Sequence, residues 1–279
     1  MIRHAAAFIL TAAVLCGVVA AGEMLDILPS YAGIAGEIDV TRVLSEPALV
    51  PILRSSAPEE IAGVRREDFS AAAFAVDAKC RKFAVVFRTA SDPAWARLMQ
   101  LTSPHLVPAP AAGEGVYSFK DVGRDLRDGR FAVFGGNSGA LYLDCPEDFR
   151  CDTRGIPAEL RAIFPAGKLV AVAGRPRMKG DPFRSVRQFR AWVEPIPDGG
   201  GFRLAGDARF DKPVNASFGK FAIMAVFSLW LQEYLKLPPE AVSELISKIR
   251  MRQRGADIQF EFFEFAYLGE LLRAQLEPR

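Results

Sequence analysis

Beyond residue 21 the groups that could do chemistry are few: three cysteines, one histidine, a cluster of acids and two basic stretches. Ser–His–Asp and Cys–His catalysis each need an imidazole held by a scaffold, and histidine-rich metal sites need at least two. Only His105 remains, inside the proline-rich stretch L-T-S-P-H-L-V-P-A-P, where it reads as a surface residue. Cys80, Cys145 and Cys151 are too unevenly spaced for a good zinc site. Cys145 and Cys151 bracket the short loop C-P-E-D-F-R-C and are read as a local disulfide, which leaves Cys80 as an odd thiol. Three reduced thiols, or an intermolecular bond through the odd cysteine, are the alternatives.

Carboxylates are then the main acid–base resource. Asp144, Glu147, Asp148 and Asp152 gather around the Cys145–Cys151 loop, but they lack the regular alternation and central glycine of a calcium loop. A polar loop is the better reading. Ser55, Ser56 and Ser138 have no visible base beside them, and Asn215-Ala216-Ser217 matches a glycosylation acceptor. Gly135-Gly136-Asn137-Ser138-Gly139 could cradle an anion only if a helix began directly after it. A strand follows, so this is a hairpin tip. No catalytic residue, metal ligand or cofactor site is assigned.

The basic stretches are the candidate binding features. Arg175, Arg177, Lys179, Arg184, Arg187 and Arg190 fall in sixteen residues opposed only by Asp181, and are read as a candidate anion-binding set. Lys248, Arg250, Arg252 and Arg254 alternate along a strand, which puts the three arginines on one face with Glu261 on the paired strand. A solvated charged face explains either stretch; an anionic polymer, a lipid head group or an acidic partner is the functional reading.

The elements that must position these groups are hairpins and helices. A strand over Tyr31–Val40 leads into a helix carrying Leu44, Leu49, Ile52 and Leu53. Strands over Phe69–Val76 and Phe83–Arg88 form a hairpin, and Ser91-Asp92-Pro93 starts a helix with a capping side chain and a first-turn proline. F-A-V-F and A-L-Y-L-D flank the glycine turn. In the second half, Pro157–Phe164 reads as a helix, K-L-V-A-V-A as a buried strand, and Ser185–Glu194 with Phe202–Phe210 as a hairpin. The run F-A-I-M-A-V-F-S-L-W-L is too short to span a bilayer and is expected to be a central helix buried on most sides. A helix over Pro239–Ile246, a last hairpin and a closing helix with Leu268, Leu271 and Leu272 complete the chain. The class is α+β, antiparallel sheets of hairpins covered by helices. The halves 22–150 and 151–279 follow one plan and are read as two similar sheet-and-helix lobes.

The first 21 residues have a basic head (Arg3, His4), an uncharged run from Ala5 to Ala21 and small residues at the end, the three-part pattern of a secretory signal peptide. Cleavage is expected after Ala21, with Ala20 the second choice. An uncleaved membrane anchor is the minority reading, and a lipoprotein is disfavoured by Leu15 before Cys16. Cleavage would remove Arg3 and no acid, so the net charge falls from +2 to +1. So small a charge gives no overall field for nucleic acid or an anionic membrane. Export makes the protein periplasmic or extracellular and permits disulfides. Membrane contact follows only if the first segment stays.

E-I-D-V-T-R-V-L near the start and K-I-R-M-R-Q-R-G-A-D-I-Q-F-E-F near the end give the chain a plan that resembles uncharacterised exported bacterial α+β proteins. The resemblance implies a fold type and no activity. Three functions fit: a non-catalytic binding or scaffolding protein of the periplasm or cell envelope, with an anionic envelope component or a protein as partner; a carboxylate-dependent hydrolase of an envelope polymer; or a carrier of a lipid or other apolar ligand on the faces around Phe221–Leu231 and Phe260–Phe265.

Overall fold

The structure, a computed structural model, describes residues 24–56, 60–61, 64–79, 81–120, 128–146, 148–176, 183–196 and 201–276. Both chemically interesting thiols outside the 145–151 loop, Cys16 and Cys80, lie outside the described residues, as do the leader segment and most of the 198–201 turn.

One twelve-stranded antiparallel sheet runs through both halves. The first half supplies β1 (Ala32–Ile38), β4 (Phe69–Asp77), β5 (Phe83–Thr89), β6 (Leu106–Pro108), β7 (Val116–Phe119), β8 (Arg130–Phe134) and β9 (Ser138–Leu143). The second supplies β10 (Val170–Gly174), β11 (Val186–Pro195), β12 (Phe202–Phe210), β13 (Arg250–Arg254) and β14 (Asp257–Phe262). Two further short strands, β2 (Glu60–Ile61) and β3 (Val64–Arg65), pair only with each other. The helices are α1 (Val40–Ser45), α2 (Val50–Ser56), α3 (Asp92–Thr102), α4 (Ala158–Arg161), α5 (Pro213–Leu229), α6 (Pro239–Ser247) and α7 (Phe265–Leu276). The chain is therefore α+β.

The strand connectivity occurs twice. From β1 the sheet runs outward through β4 and β5; a helix, α3, intervenes; then the hairpin β8–β9 returns to lay β9 against β5. From β10 it runs outward through β11 and β12; α5 and α6 intervene; then β13–β14 returns to lay β14 against β12. β1 and β10 pair antiparallel in the middle, Gly36 opposite Val172. The repeat reaches down to single side chains. Gly36 on β1 faces Phe74 on β4, and Gly174 on β10 faces Phe189 on β11. In each pair the ring lies across the glycine, within 2.2 and 2.5 Å of where a Cβ would stand. A cross-strand aromatic thus covers the backbone its partner leaves bare.

Local signals explain most boundaries. The Asp39 carboxylate accepts from the Arg42 N–H and caps α1, which ends β1 two residues earlier than expected. Pro47 splits the expected single helix into α1 and α2. Ser91 caps α3 with a proline in its first turn. Gly136 and Asn137 both adopt positive φ in the β8–β9 turn. The main core joins the alanines of the central strands (Ala35, Ala73, Ala75, Ala84, Ala171, Ala173) to Leu53, Leu160, Leu245 and Leu268. Small side chains on those strands let helices approach closely.

The expectation for α5 needs correcting. The helix begins at Pro213 and continues as a π-helical turn over Trp230–Tyr234, giving 22 residues, long and apolar enough by length and composition to cross a membrane. Only 28 % of its most apolar stretch is buried. A helix lying on a sheet buries one side, and among the described residues no second layer packs over the other.

Candidate functional site

The two basic stretches meet, though not as the sequence grouped them. Register along β11, β12, β14 and β13 puts Arg190, Trp192 and Glu194 on the same side as Arg203, Asp207 and Arg209. It adds Asp257, Gln259 and Glu261, then Arg250, Arg252 and Arg254. This side faces solvent, and it holds a shallow hollow of about 250 Å³ lined by Arg190, Trp192, Arg203, Arg250, Arg252 and Gln259 among others. Arg190 alone of the first stretch reaches it. Arg175, Arg184 and Arg187 are exposed elsewhere along the strand ends, and Arg177 and Lys179 lie outside the described residues.

The face is a lattice of ion pairs. Arg190 donates from Nε to Asp207 at 2.6 Å, and its guanidinium lies 5.6 Å from the Trp192 ring centre. Arg203 bridges Glu194 at 2.7 Å and Glu261 at 3.2 Å. Arg209 pairs with Asp257 at 2.7 Å, and Lys168 with Glu194. Glu261 does stand opposite Arg250 in register, yet it gives its charge to Arg203, while Arg250 lies over the Phe263 ring at 5.0 Å. Burial pushes the Glu194 carboxyl up, but the Lys168 ammonium and Arg203 guanidinium outweigh it and hold the group down at about 2. All four acids of the face are therefore committed. Arg252 and Arg254 are exposed and, among the described residues, have no carboxylate partner.

The other sequence candidates resolve into structure. Cys145 and Cys151, read from the sequence as a disulfide, stand as free thiols in the structure. The Cys145 N–H donates to Asp128 O and the Cys151 N–H to Ala112 O, so two distant segments of the chain hold the two backbones. Cys151 Sγ instead bonds the Tyr142 hydroxyl at 3.3 Å. Burial pushes the Cys145 thiol up to about 11, raises Cys151 as well, and lifts the phenols of Tyr31 and Tyr142 beyond their ordinary range. Both shifts favour the thiol over the nucleophilic thiolate.

Asp152 serves as a clasp. It accepts from the Ser30 N–H at 3.0 Å, from the Ser30 hydroxyl at 2.6 Å and from Arg154 at 2.9 Å. Burial opposes its charge, but the Arg154 and Ser30 bonds carry it well below the usual carboxylate range. Asp144 and Asp148 are exposed and Glu147 lies outside the described residues. Among the described residues no three potential ligands gather for a metal ion. His105 is exposed in a short 3-10 turn, Ser138 is buried and accepts from Arg88 Nε, and Ser55 sits at the end of α2. Asn215 bonds Asp211 in the first turn of α5.

Phe227, Trp230, Phe262 and Phe265, within the stretches expected to cradle an apolar ligand, pack ring against ring at 5.1–5.6 Å between centres. Sequence reasoning missed the convergence of β11 and β13, because the pairing that creates it, β12 with β14, skips over two helices.

No family model matches the chain, and no curated protein sequence does. Among solved structures it is similar to TP0453 in crystal form I, with 8 % identity and a TM-score of 0.46 over 91 % of this chain and 97 % of that one. Crystal form IV of TP0453 gives 9 % identity and a TM-score of 0.43, covering 90 % and 96 %.

Proposed function

We propose that this is an exported, non-catalytic binding protein of the periplasm or cell envelope, and that the arginine-rich side of β11–β13 seats an anionic envelope component. The observation that supports the site most is the mismatch of charge on that side. Arg190, Arg203, Arg209, Arg250, Arg252 and Arg254 outnumber Glu194, Asp207, Asp257 and Glu261; Arg203 takes two of the acids, Arg250 rests on the Phe263 ring, and the unpaired charge is most open at exposed Arg252 and Arg254. The ion pairs hold the neighbouring guanidiniums in place, and Trp192 offers a flat apolar floor beside them. A ligand arriving there meets donors already ordered, which lowers the entropy cost of binding. Export rests on the leader pattern of the first 21 residues.

A hydrolase would need an acid free to hold or release a proton. Asp207 and Glu261 are each engaged with an arginine, so neither stands as a free carboxylate.

The test is fluorescence anisotropy with labelled polyglycerol phosphate and labelled polyglutamate, against a neutral dextran, at low and physiological salt. R252E/R254E should weaken binding of the polyanions by about tenfold or more and flatten the salt dependence. Failure of the unsubstituted protein to prefer polyanions over dextran, or an unchanged Kd after charge reversal, overturns the assignment.

A further inference from the structure

Helix α5 carries a second surface that the charged face does not explain. Val214, Phe218, Phe221 and Leu229 are 57, 65, 67 and 40 % exposed, and Ala225 between them is exposed too. Steps of four, three, four and four residues place all five in one straight line along the helix, about 22 Å long. The inner side of the same helix is fixed to the sheet: Ala216 packs with Phe210 and Ile258, and a Cβ on Gly219 would lie 2.1 Å from the Phe210 ring. So α5 cannot leave the sheet to span a bilayer without tearing that packing. It presents its apolar line sideways.

The fold does not require this line. Helix α3 occupies the corresponding place after β5, packs Leu98 and Trp95 on Phe69 and Phe87, and turns Asp92, Arg97 and Gln100 outward. It leaves one large apolar side chain exposed, Leu101. The same packing duty is met there with a polar exterior.

The setting of the line selects its occupant. From Pro213 to Leu229 the helix has no acid and one cation, Lys220. Lys212 and Arg187 lie within electrostatic reach of Asp211 at the N-terminal end, and Asp211 is engaged with Asn215. Glu233 stands exposed beyond the far end. The exposed side chains offer on the order of 400 Å² of apolar surface, about half the roughly 800 Å² per partner of a stable protein complex. An apolar line of that size with cations at its N-terminal end suits the boundary between head groups and acyl chains.

We propose that α5 lies flat on an anionic lipid surface, with Phe218 and Phe221 in the acyl region and Lys212 and Arg187 at the head groups. This surface is separate from the arginine-rich side of β11–β13 and stands or falls independently of it.

The test uses the full chain with Phe221→Trp and vesicles of phosphatidylcholine mixed with phosphatidylglycerol, with and without bromine on the acyl chains. Subtracting the unsubstituted chain isolates the new indole. Its emission should shift to the blue and be quenched by the brominated lipid, and Phe218→Ser in the same background, or R187E/K212E, should cut that quenching severalfold. A leader segment that anchors the chain by itself would bring it down with the vesicles while leaving this indole unquenched. That result overturns the proposal. So does a chain that ignores the vesicles, or one that is a dimer in solution and becomes monomeric with F218S/F221S, since a second copy would then own the line.

Discussion

Helices α3 and α5 follow β5 and β12, strands that hold the same place in the repeated connectivity, yet they spend their residues differently. α3 is amphipathic: Ala94 and Leu98 face in, charged and amide side chains face out. α5 buries Ala216, Gly219 and Phe227 on one side and leaves aromatics in water on the other. The sheet beneath them diverges in the same way. In the first half, the side of the central strands that carries Ala73, Ala75, Ala84 and Val86 is sealed into the main core, whereas Arg190, Arg203 and Asp207 of the second half lie open. Among the described residues the first half has no exposed phenylalanine and no arginine lattice, so neither feature of the second half is a requirement of packing. Both point to work done at the surface.

The comparison can be broken most directly from inside. Phe227→Ala should cost about 3–5 kcal/mol and Leu98→Ala about 2–5 kcal/mol in denaturant unfolding, because each removes a buried anchor of its helix. A cost for Phe227→Ala under about 1 kcal/mol would mean that α5 is no core helix, and the parallel with α3 would fail.

Next come the glycines crossed by rings. Gly36→Val and Gly174→Val each push a Cβ into a phenylalanine, and each should cost about 1–3 kcal/mol by overpacking. Similar costs would sharpen the equivalence of β1–β4 and β10–β11. A Gly174→Val protein as stable as the parent would show that the second half tolerates what the first does not.

The charged lattice should show in acid. Glu194 is depressed to about 2 in the folded chain, against an ordinary value of 4.5. Its carboxylate therefore stabilises the fold fully above about pH 4.5, and that contribution is lost as the pH falls toward 2. Lys168 and Arg203 are each about a third exposed, so screening limits the effect to on the order of 1 kcal/mol. Glu194→Gln should flatten the stability profile between those limits in urea titrations at stepped pH. An unaltered profile would mean that the lattice adds nothing to the fold.

The smallest effect is expected outside. F218S/F221S should change unfolding free energy by no more than about 0.5 kcal/mol while raising solubility. A loss several times larger would place those rings in contacts that the structure does not contain.

Much of this architecture is legible in the sequence. Alternation in Phe202–Phe210 and the Gly136-Asn137 turn announce their hairpins, and the Asp39 and Ser91 caps announce helix starts. What stays hidden is hidden for physical reasons. A helix apolar all round has no periodicity to reveal which side is buried, so α5 passes for a core element. Arg190 and Arg250 are brought to one hollow by pairing across two intervening helices, and nothing local to either records it. The six-residue spacing of Cys145 and Cys151 invites a bridge, but the bonds to Asp128 and Ala112 that hold them lie far off in the chain.

The seam at the centre of the sheet has a consequence for how the chain is made. β1 pairs on one side with β4, close behind it, and on the other with β10, which emerges only after all of the first half. Until residue 174 is available, the seven residues of β1 present a bare row of amides and carbonyls. A nascent chain therefore leaves that row unpaired until β10 arrives, and a fragment ending after β9 should seek another strand to complete it. Maturation of this protein waits on its middle, and its ends are the last places where an arrest would show.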